Sequence, residues 1–191
     1  MAGLDRLGFN QKLPFEISVA ESQYSNTDQI ETEIQLADSG YGQGQVLVNP
    51  VHLASLYTMY PNRGKVLKPY LVYKDTPEPE VWIEDACTPE TAEIVEDGMK
   101  AVISSEHGTG HAAMRSDITL AGKTGTAEIK ASKEDTSGTE LGWFAVYTAD
   151  ADMQKPVLMV SMVEDVKNAG GSGLVVRKSR DVLGAYIPSG Q

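Results

Sequence analysis

The sequence has 191 residues, of which 41% are hydrophobic and 23% are charged, as is typical of a soluble globular protein. A chain of this length suits one domain of ordinary size with a sizeable core. The 16 basic and 27 acidic residues give a net charge of −11, which argues against nucleic acid or anionic lipid as a partner.

Three further kinds of site or segment are disfavoured by the sequence. Cys87 is its one cysteine, so neither a disulfide framework nor a cysteine-based metal site is expected. No apolar run approaches the length of a membrane span, and no signal-peptide pattern opens the chain. His107 and His111 have the spacing of metal ligands, but the glycines around them argue against a helix, and no third ligand completes a known pattern. No metal or cofactor is therefore expected.

The first part of the chain predicts helices separated by irregular segments. Residues 2–9 resemble the last turns of a helix that stops at Gly8, and the lack of a preceding helix start suggests a piece of a larger protein. Residues 10–38 predict an irregular connection. Residues 38–44 predict a tight glycine-rich turn at the rim of a cleft, since they lack the features of a phosphate loop. Asn49-Pro50 predicts a helix start, and residues 62–64 predict its end.

The middle of the chain predicts a short β segment and a second helix. Residues 66–73 are rich in β-formers but contain Pro69, so they suit an edge strand or one arm of a hairpin. Residues 76–79 predict a loop. Thr88-Pro89 predicts the start of the second helix. The expected buried face of this helix comprises Ala92, Val95, Met99 and Val102.

The last third of the chain predicts a sheet and a closing helix. Residues 120–129, 141–148 and 157–163 read as three strands with short links, which implies an antiparallel meander. A polar turn at residues 130–139 joins the first two. The glycine-rich run at 170–173 leads into a last helix that should pack across the sheet. Its expected buried face contains Val175, Val182 and Tyr186.

The strand at residues 120–129 carries the side chains best suited to binding chemistry. Lys123 supplies an ammonium group, and Thr124 and Thr126 supply hydroxyl donors suited to a carboxylate. Gly125 would weaken a strand, which makes sense if a ligand must lie close to the backbone. An edge strand can also accept an extended peptide as an added strand. We therefore expect this strand to border an active-site cleft.

Several motifs in this chain resemble class B penicillin-binding proteins. Lys123-Thr124-Gly125 resembles a motif that penicillin-binding proteins share with class A β-lactamases. In class B proteins a Gly-Gln-Gly loop leads to a proline-started helix, an Asn-x-Gly turn and a strand that ends near a proline. The matching segments here are Gly42-Gln43-Gly44, Asn49-Pro50, Asn62-Arg63-Gly64 and Lys68-Pro69, followed by Gly122–Glu128, Gly142-Trp143-Phe144 and the closing Gly-Gly-Ser-Gly. Residues 38–45 most resemble the low-affinity, β-lactam-tolerant branch.

The resemblance implies a D,D-transpeptidase that cross-links peptidoglycan. Its implied fold is α+β, of the serine β-lactamase and penicillin-binding-protein type, with helices packed on an antiparallel sheet. By analogy Lys123 would stabilise charge around the nucleophile, and Thr124 and Thr126 would hold the terminal carboxylate of the stem peptide or of a β-lactam. The Thr126 backbone N–H would be one donor of the oxyanion hole, and Gly125 would leave the ligand room.

The chain departs from the family in lacking both Ser-x-x-Lys and Ser-x-Asn. Ser116-Asp117-Ile118 comes closest to the second motif but has no asparagine, and no Gly-x-Ser-x-Gly is present. In the family both motifs precede the segment where this chain begins. Residues 1–191 are therefore interpreted as the C-terminal part of a transpeptidase domain, inactive without the upstream part that carries the nucleophile.

Alternative functions and the expected partners complete this interpretation. The chain could belong to a β-lactam sensor or a serine β-lactamase, although the Gly-Gln-Gly to Asn-x-Gly segment argues against both. It could instead be a non-enzymatic peptide-binding module. The expected partners are stem peptides ending in D-Ala-D-Ala, β-lactam antibiotics and the upstream part of the same protein, and dimerisation of this chain is a further expected association. The expected location is the outer face of the bacterial cytoplasmic membrane, with an anchor outside this chain.

Overall fold

The chain divides into two compact units, each with its own hydrophobic core. The computed structural model describes residues 2–27, 29–73, 78–129 and 137–188, and the units comprise residues 1–92 and 93–191. Two cores thus take the place of the single core that the length suggested. Within the described ranges, no helix combines the length and the apolar character that crossing a membrane requires.

The first unit contains short helices and a small hairpin. Its elements are α1 (Ala2–Arg6), α2 (Glu33–Ser39), α3 (Pro50–Tyr57), β1 (Val66–Leu67) and β2 (Val81–Ile83). The two strands pair antiparallel. Because these elements are short, much of the packing comes from residues between them, and the core is formed by Phe9, Tyr24, Leu56, Met59 and Val66.

The predicted start of α3 is confirmed, whereas α2 was missed. The Asn49 side chain accepts a hydrogen bond from the Val51 N–H at 2.9 Å, as an N-cap should. Helix α2 begins inside the segment predicted to be irregular. Thr32 caps it by accepting from the Gln35 N–H at 3.1 Å, while no residue of α2 is buried. A helix without a buried face leaves no apolar periodicity in the sequence, so its cap was the available signal.

The predicted strand at residues 66–73 is much shorter than expected. It ends at Leu67, because Pro69 has no N–H to continue the ladder. The expectation of a hairpin arm is confirmed, since β1 pairs with β2, a strand that the sequence did not predict. The predicted loop at residues 76–79 lies partly outside the described residues.

A buried histidine joins three segments of the first unit. His52 is 2% exposed, and its Nε2 lies 2.8 Å from the Leu7 carbonyl oxygen, which can only accept. Nε2 therefore carries the proton, and Nδ1 accepts from the Ser22 hydroxyl at 2.7 Å. The Ser22 Oγ in turn accepts from the Asn49 N–H at 2.9 Å. Burial lowers the pKa of His52 below its usual value, so the neutral ring is the stable form.

The second unit is a three-stranded sheet with helices packed on it. α4 (Pro89–Ser104) leads into it, followed by a 3₁₀ turn (His111–Ala113), β3 (Leu120–Ile129), β4 (Thr139–Thr148), β5 (Leu158–Val163) and α5 (Ser172–Tyr186). Within the described residues the strand order is β3-β4-β5, with both pairs antiparallel. The predicted meander is therefore confirmed. Most of the predicted turn between β3 and β4 lies outside the described residues.

Helix α5 packs across the sheet as predicted, but with a different face. Its buried residues are Val175, Val176, Ser179 and Leu183, whereas Val182 and Tyr186 are 56% and 61% exposed. The predicted start of α4 is confirmed, although its expected face is also partly wrong. Val95 is exposed, and Ile103 is buried in the core of the second unit with Leu120, Phe144 and Val146.

Candidate active site

The four predicted site residues lie along the middle of β3, at the edge of the sheet formed by the described residues. Lys123 pairs with Ala145 of β4, and Thr126 pairs with Gly142. β4 occupies one side of β3, and the strand order places no described strand on the other. The expectation of an edge strand is confirmed in this part of the chain. Such an edge can in principle accept an extended peptide.

Strand alternation divides the site residues between the two faces of β3. Lys123 and Gly125 project to one face, and Thr124 and Thr126 to the other. Lys123 is exposed, and its Nζ donates to the Thr124 carbonyl oxygen at 2.8 Å. Among the ion pairs formed by described residues, none uses the Lys123 ammonium. Its charge can therefore meet an anionic ligand or a developing negative charge.

Thr124 is less accessible than its predicted role suggests. It is 7% exposed, and its Oγ1 lies 2.7 Å from Oγ1 of Thr109, in the loop that follows α4. Thr126, on the same face, is exposed. The two threonines predicted to bind a carboxylate thus differ in exposure, and the Thr124 hydroxyl has the Thr109 hydroxyl as a partner. Any ligand that reaches Thr124 meets a pair of hydroxyl groups.

The space available for a side chain differs between Gly122 and Gly125. A Cβ at Gly122 would lie 2.7 Å from the Ala145 carbonyl oxygen, so the sheet itself excludes a side chain there. A Cβ at Gly125 would meet Trp143 Cβ at 3.4 Å, an ordinary contact distance. The backbone of Gly125 is also outside the left-handed region. The protein alone therefore does not require glycine at 125, which favours the interpretation that a ligand uses this space.

Ser116-Asp117 is the segment that most resembles the missing Ser-x-Asn motif. Its Asp117 side chain pairs with Arg115 in a contact that stabilises the fold. Arg115 Nε donates to Asp117 Oδ1 at 2.9 Å, and Arg115 Nη1 donates to the Ile187 carbonyl oxygen at 2.6 Å. The Arg115 guanidinium lowers the pKa of the Asp117 carboxyl. Arg115, Ser116 and Asp117 line a cavity of about 340 Å³ whose lining includes none of the four site residues. They tie the end of α5 to the segment before β3.

The two histidines singled out by their spacing do not form a metal site with other described residues. His111 opens the 3₁₀ turn, and its Nδ1 lies 3.0 Å from the Ile103 carbonyl oxygen, to which it donates. The described residues contain no group of three or more potential His, Cys, Asp or Glu ligands. His111 thus holds the loop against the end of α4.

Thr109 contacts a predicted site residue, and the sequence analysis did not single it out. It lies between Gly108 and Gly110, the glycines that argued against a helix in the sequence analysis, which gave its hydroxyl no role. The contact with Thr124 joins residues 15 positions apart. Sequence periodicity cannot reveal such a contact, because the loop is irregular. The available signal was a hydroxyl residue between two glycines that allow close backbone packing.

Comparisons with known proteins match most of the chain. A family model described as the penicillin binding protein transpeptidase domain matches residues 1–183. Penicillin-binding protein 3 of Bacillus subtilis (strain 168) is 40% identical over 178 residues, which cover 93% of this chain and 26% of that protein. Peptidoglycan D,D-transpeptidase MrdA of Haemophilus influenzae is 32% identical over 164 residues, which cover 78% of this chain and 25% of that protein. The chain spans about a quarter of the length of these curated relatives.

A solved structure shares the fold of the chain. Penicillin-binding protein A from M. tuberculosis, in a ceftriaxone acyl-enzyme complex, superposes with a TM-score of 0.74 at 21% identity. The match covers 96% of this chain and 42% of that chain. The α+β transpeptidase fold that the resemblance implied, with helices packed on an antiparallel sheet, is confirmed.

Proposed function

Because this chain belongs to the transpeptidase family of penicillin-binding proteins, we propose that β3 forms one wall of the active-site cleft of a peptidoglycan D,D-transpeptidase. The observation that carries the proposal is the placement of Lys123-Thr124-Gly125-Thr126 at the edge of the sheet, in a family-matched chain. An extended stem peptide can add to such an edge and present its terminal carboxylate to the hydroxyl groups.

Each site residue has a proposed role that follows from its chemistry. Lys123 stabilises negative charge around the nucleophile, and Thr124 and Thr126 hold the carboxylate of the ligand. The Thr126 N–H donates to the oxyanion that forms when a carbonyl is attacked, a contribution worth a few kcal/mol in comparable sites. Gly125 leaves room for the ligand, a role supported by the ordinary distance of 3.4 Å at which a Cβ there would meet Trp143 Cβ.

The nucleophile is proposed to come from a segment outside this chain. The 191 residues contain no Ser-x-x-Lys, and an acyl-transfer enzyme needs an activated nucleophile. Residues 1–191 would then be the C-terminal part of the transpeptidase domain, catalytically incomplete by themselves. The relatives, of which the chain spans about a quarter, are long enough to hold such a segment.

The proposed ligands are stem peptides ending in D-Ala-D-Ala and β-lactam antibiotics. The name of the Haemophilus influenzae relative and the acyl-enzyme complex of the M. tuberculosis protein support these two ligand classes. The low-affinity character suggested by residues 38–45 is part of the same proposal. The complete protein would act at the outer face of the cytoplasmic membrane, held there by an anchor outside this chain.

Acylation of a complete domain tests the proposal. In a domain that joins this chain to a segment bearing Ser-x-x-Lys, Lys123→Ala or Thr124→Ala should slow labelling by a fluorescent penicillin by about a hundredfold, as expected for a preorganised polar group. His107→Ala and Cys87→Ala serve as controls and should stay near the wild-type rate. Equal rates for all four variants would remove the basis for assigning β3 a role in acylation.

A further inference from the structure

The loop after α4 places the hydroxyl of Thr109 against the proposed substrate strand. Thr109 Oγ1 lies 2.7 Å from Thr124 Oγ1, and Thr109 is exposed whereas Thr124 is 7% exposed. We propose that Thr109 is a positioning residue, whose hydroxyl orients the Thr124 hydroxyl toward the carboxylate of a bound peptide or β-lactam. This inference rests on the proposed function of β3 and adds a residue outside the Lys-Thr-Gly-Thr motif.

Close packing fixes the position of Thr109. A Cβ at Gly108 would overlap with the Val102 carbonyl oxygen, and a Cβ at Gly110 would lie 3.1 Å from Val102 Cγ1. The Gly110 N–H donates to the Val102 carbonyl at 3.1 Å, and His111 Nδ1 donates to the Ile103 carbonyl at 3.0 Å. The backbone on both sides of Thr109 is therefore held against the end of α4. A residue fixed in this way loses little further entropy when it orients a neighbour.

The charge of the ligand sets the direction of the hydrogen bonds. A carboxylate can only accept, so the hydroxyl that meets it must donate its proton. If Thr124 donates to the carboxylate, its oxygen is left to accept, and Thr109 is the donor placed to fill that position. A hydroxyl that accepts one hydrogen bond is polarised and becomes a better donor in the next. Both hydrogen bonds can therefore form at once, with Thr109 donating to Thr124 and Thr124 donating to the carboxylate.

The geometry also distinguishes this role from simple packing. A packing residue would affect all ligands of the cleft alike, because it would act by moving the strand. A hydroxyl that acts through Thr124 should affect mainly the ligands that present a negative charge to the Thr124 hydroxyl. The proposal therefore predicts a selective effect on anionic ligands, with no added effect once the Thr124 hydroxyl has been removed.

The test compares benzylpenicillin with its methyl ester on the complete domain. Thr109→Val keeps the shape of the side chain and removes the hydroxyl. We expect it to lower the second-order acylation constant for the acid by about tenfold, the loss typical of a hydrogen bond to a charged group. The ester, which has no carboxylate charge, should change by less than about twofold on the same basis. Thr109→Ser should restore the wild-type value for the acid.

Two further variants separate this inference from the proposal on which it rests. Adding Thr109→Val to Thr124→Val should cause no further loss, and His107→Ala in the same loop should behave as wild type. Equal losses for acid and ester, full additivity with Thr124→Val, or no rescue by serine would overturn the positioning role. If Thr109→Val has no effect while Thr124→Val lowers acylation, the inference fails and the proposed function stands. If Thr124→Val also has no effect, both fail.

Discussion

Gly122 and Gly125 show at the scale of single residues how structural and functional constraints can be separated. Both lie in β3, but a Cβ would overlap the neighbouring strand at 122 and would fit at 125. Sequence reasoning singled out Gly125 as unusual in a strand and gave no structural reason for the glycine at 122. The distinction depends on the distance across the sheet to Ala145, which the sequence does not encode locally.

Substituting alanine at each glycine tests this separation. Gly122→Ala should destabilise the chain by about 1–3 kcal/mol, because the added methyl meets a backbone carbonyl that cannot move cheaply. Gly125→Ala should change the free energy of unfolding by less than about 1 kcal/mol. In the complete domain, however, Gly125→Ala should slow acylation by about tenfold or more, because the methyl displaces the ligand. Urea unfolding and penicillin labelling measure the two effects.

A large loss of stability in Gly125→Ala would show that the position is structural and would weaken the assignment of ligand space. Unchanged acylation in Gly125→Ala would contradict the close approach of a ligand. Gly122→Ala provides the matched control, because it adds the same methyl group to the same strand at a position that the protein itself closes.

At the scale of elements, the sequence predicted the sheet of the second unit better than the helix that covers it. The residues of β3, β4 and β5 alternate or form apolar runs, and local composition decides such strands. For α5, Val182 and Tyr186 were placed inside because they are apolar, yet Leu183 is buried and they are not. Several apolar stripes are compatible with that sequence. Packing against the sheet, and not the helix sequence alone, determines which stripe is buried.

The elements of the first unit were predicted less well for a related reason. Helix α2 has no buried residue, and β2 has three residues, so neither leaves a strong pattern in the sequence. The start of α3 was predicted because its cap is local, and residues one to three positions apart determine it. The contact between Thr109 and Thr124 could not be predicted, since it depends on how a loop returns to a strand.

The histidine that joins segments of the first unit should make this unit sensitive to acid. Burial lowers the pKa of His52 in the folded state below its value in the unfolded chain. The neutral ring therefore contributes its full stability above about pH 6.5, the unfolded value, and loses it as the pH falls below. Between about pH 6.5 and the pKa of His52 in the folded state, each pH unit of acidification should lower the free energy of unfolding by up to about 1.4 kcal/mol.

This prediction can be measured in a Trp143→Phe background, so that Trp82, whose ring lies 5.4 Å from that of His52, reports on the first unit. The free energy of unfolding in urea should fall between pH 7.5 and pH 5.5, and His52→Gln should flatten that fall. His107→Gln, which removes an exposed histidine, is the control and should retain the wild-type slope. An equal slope in His52→Gln and the parent would contradict the assignment.

At the scale of the whole molecule, the sequence contains the Lys-Thr-Gly-Thr motif, for which we propose roles in binding and charge stabilisation, and contains no Ser-x-x-Lys motif. The net charge of −11 argues against nucleic acid as a partner, and residues 1–183 match the transpeptidase family of penicillin-binding proteins. Four consecutive residues, 70–73, expose apolar side chains, with exposed fractions from 48% to 76%. Apolar surface of this kind often meets another polypeptide segment. This agrees with the proposal that the chain works together with an upstream part.

Reassembly of the two parts tests the central claim most directly. The isolated chain, incubated with a fluorescent penicillin, should remain unlabelled, because no activated serine is available. Mixed with a separately produced upstream segment that bears Ser-x-x-Lys, it should form a complex in sedimentation experiments and restore labelling on that segment. Lys123→Ala in this chain should abolish the restored labelling. Labelling of any serine in the isolated chain, or a monomer that neither binds the upstream segment nor restores labelling, would contradict the account.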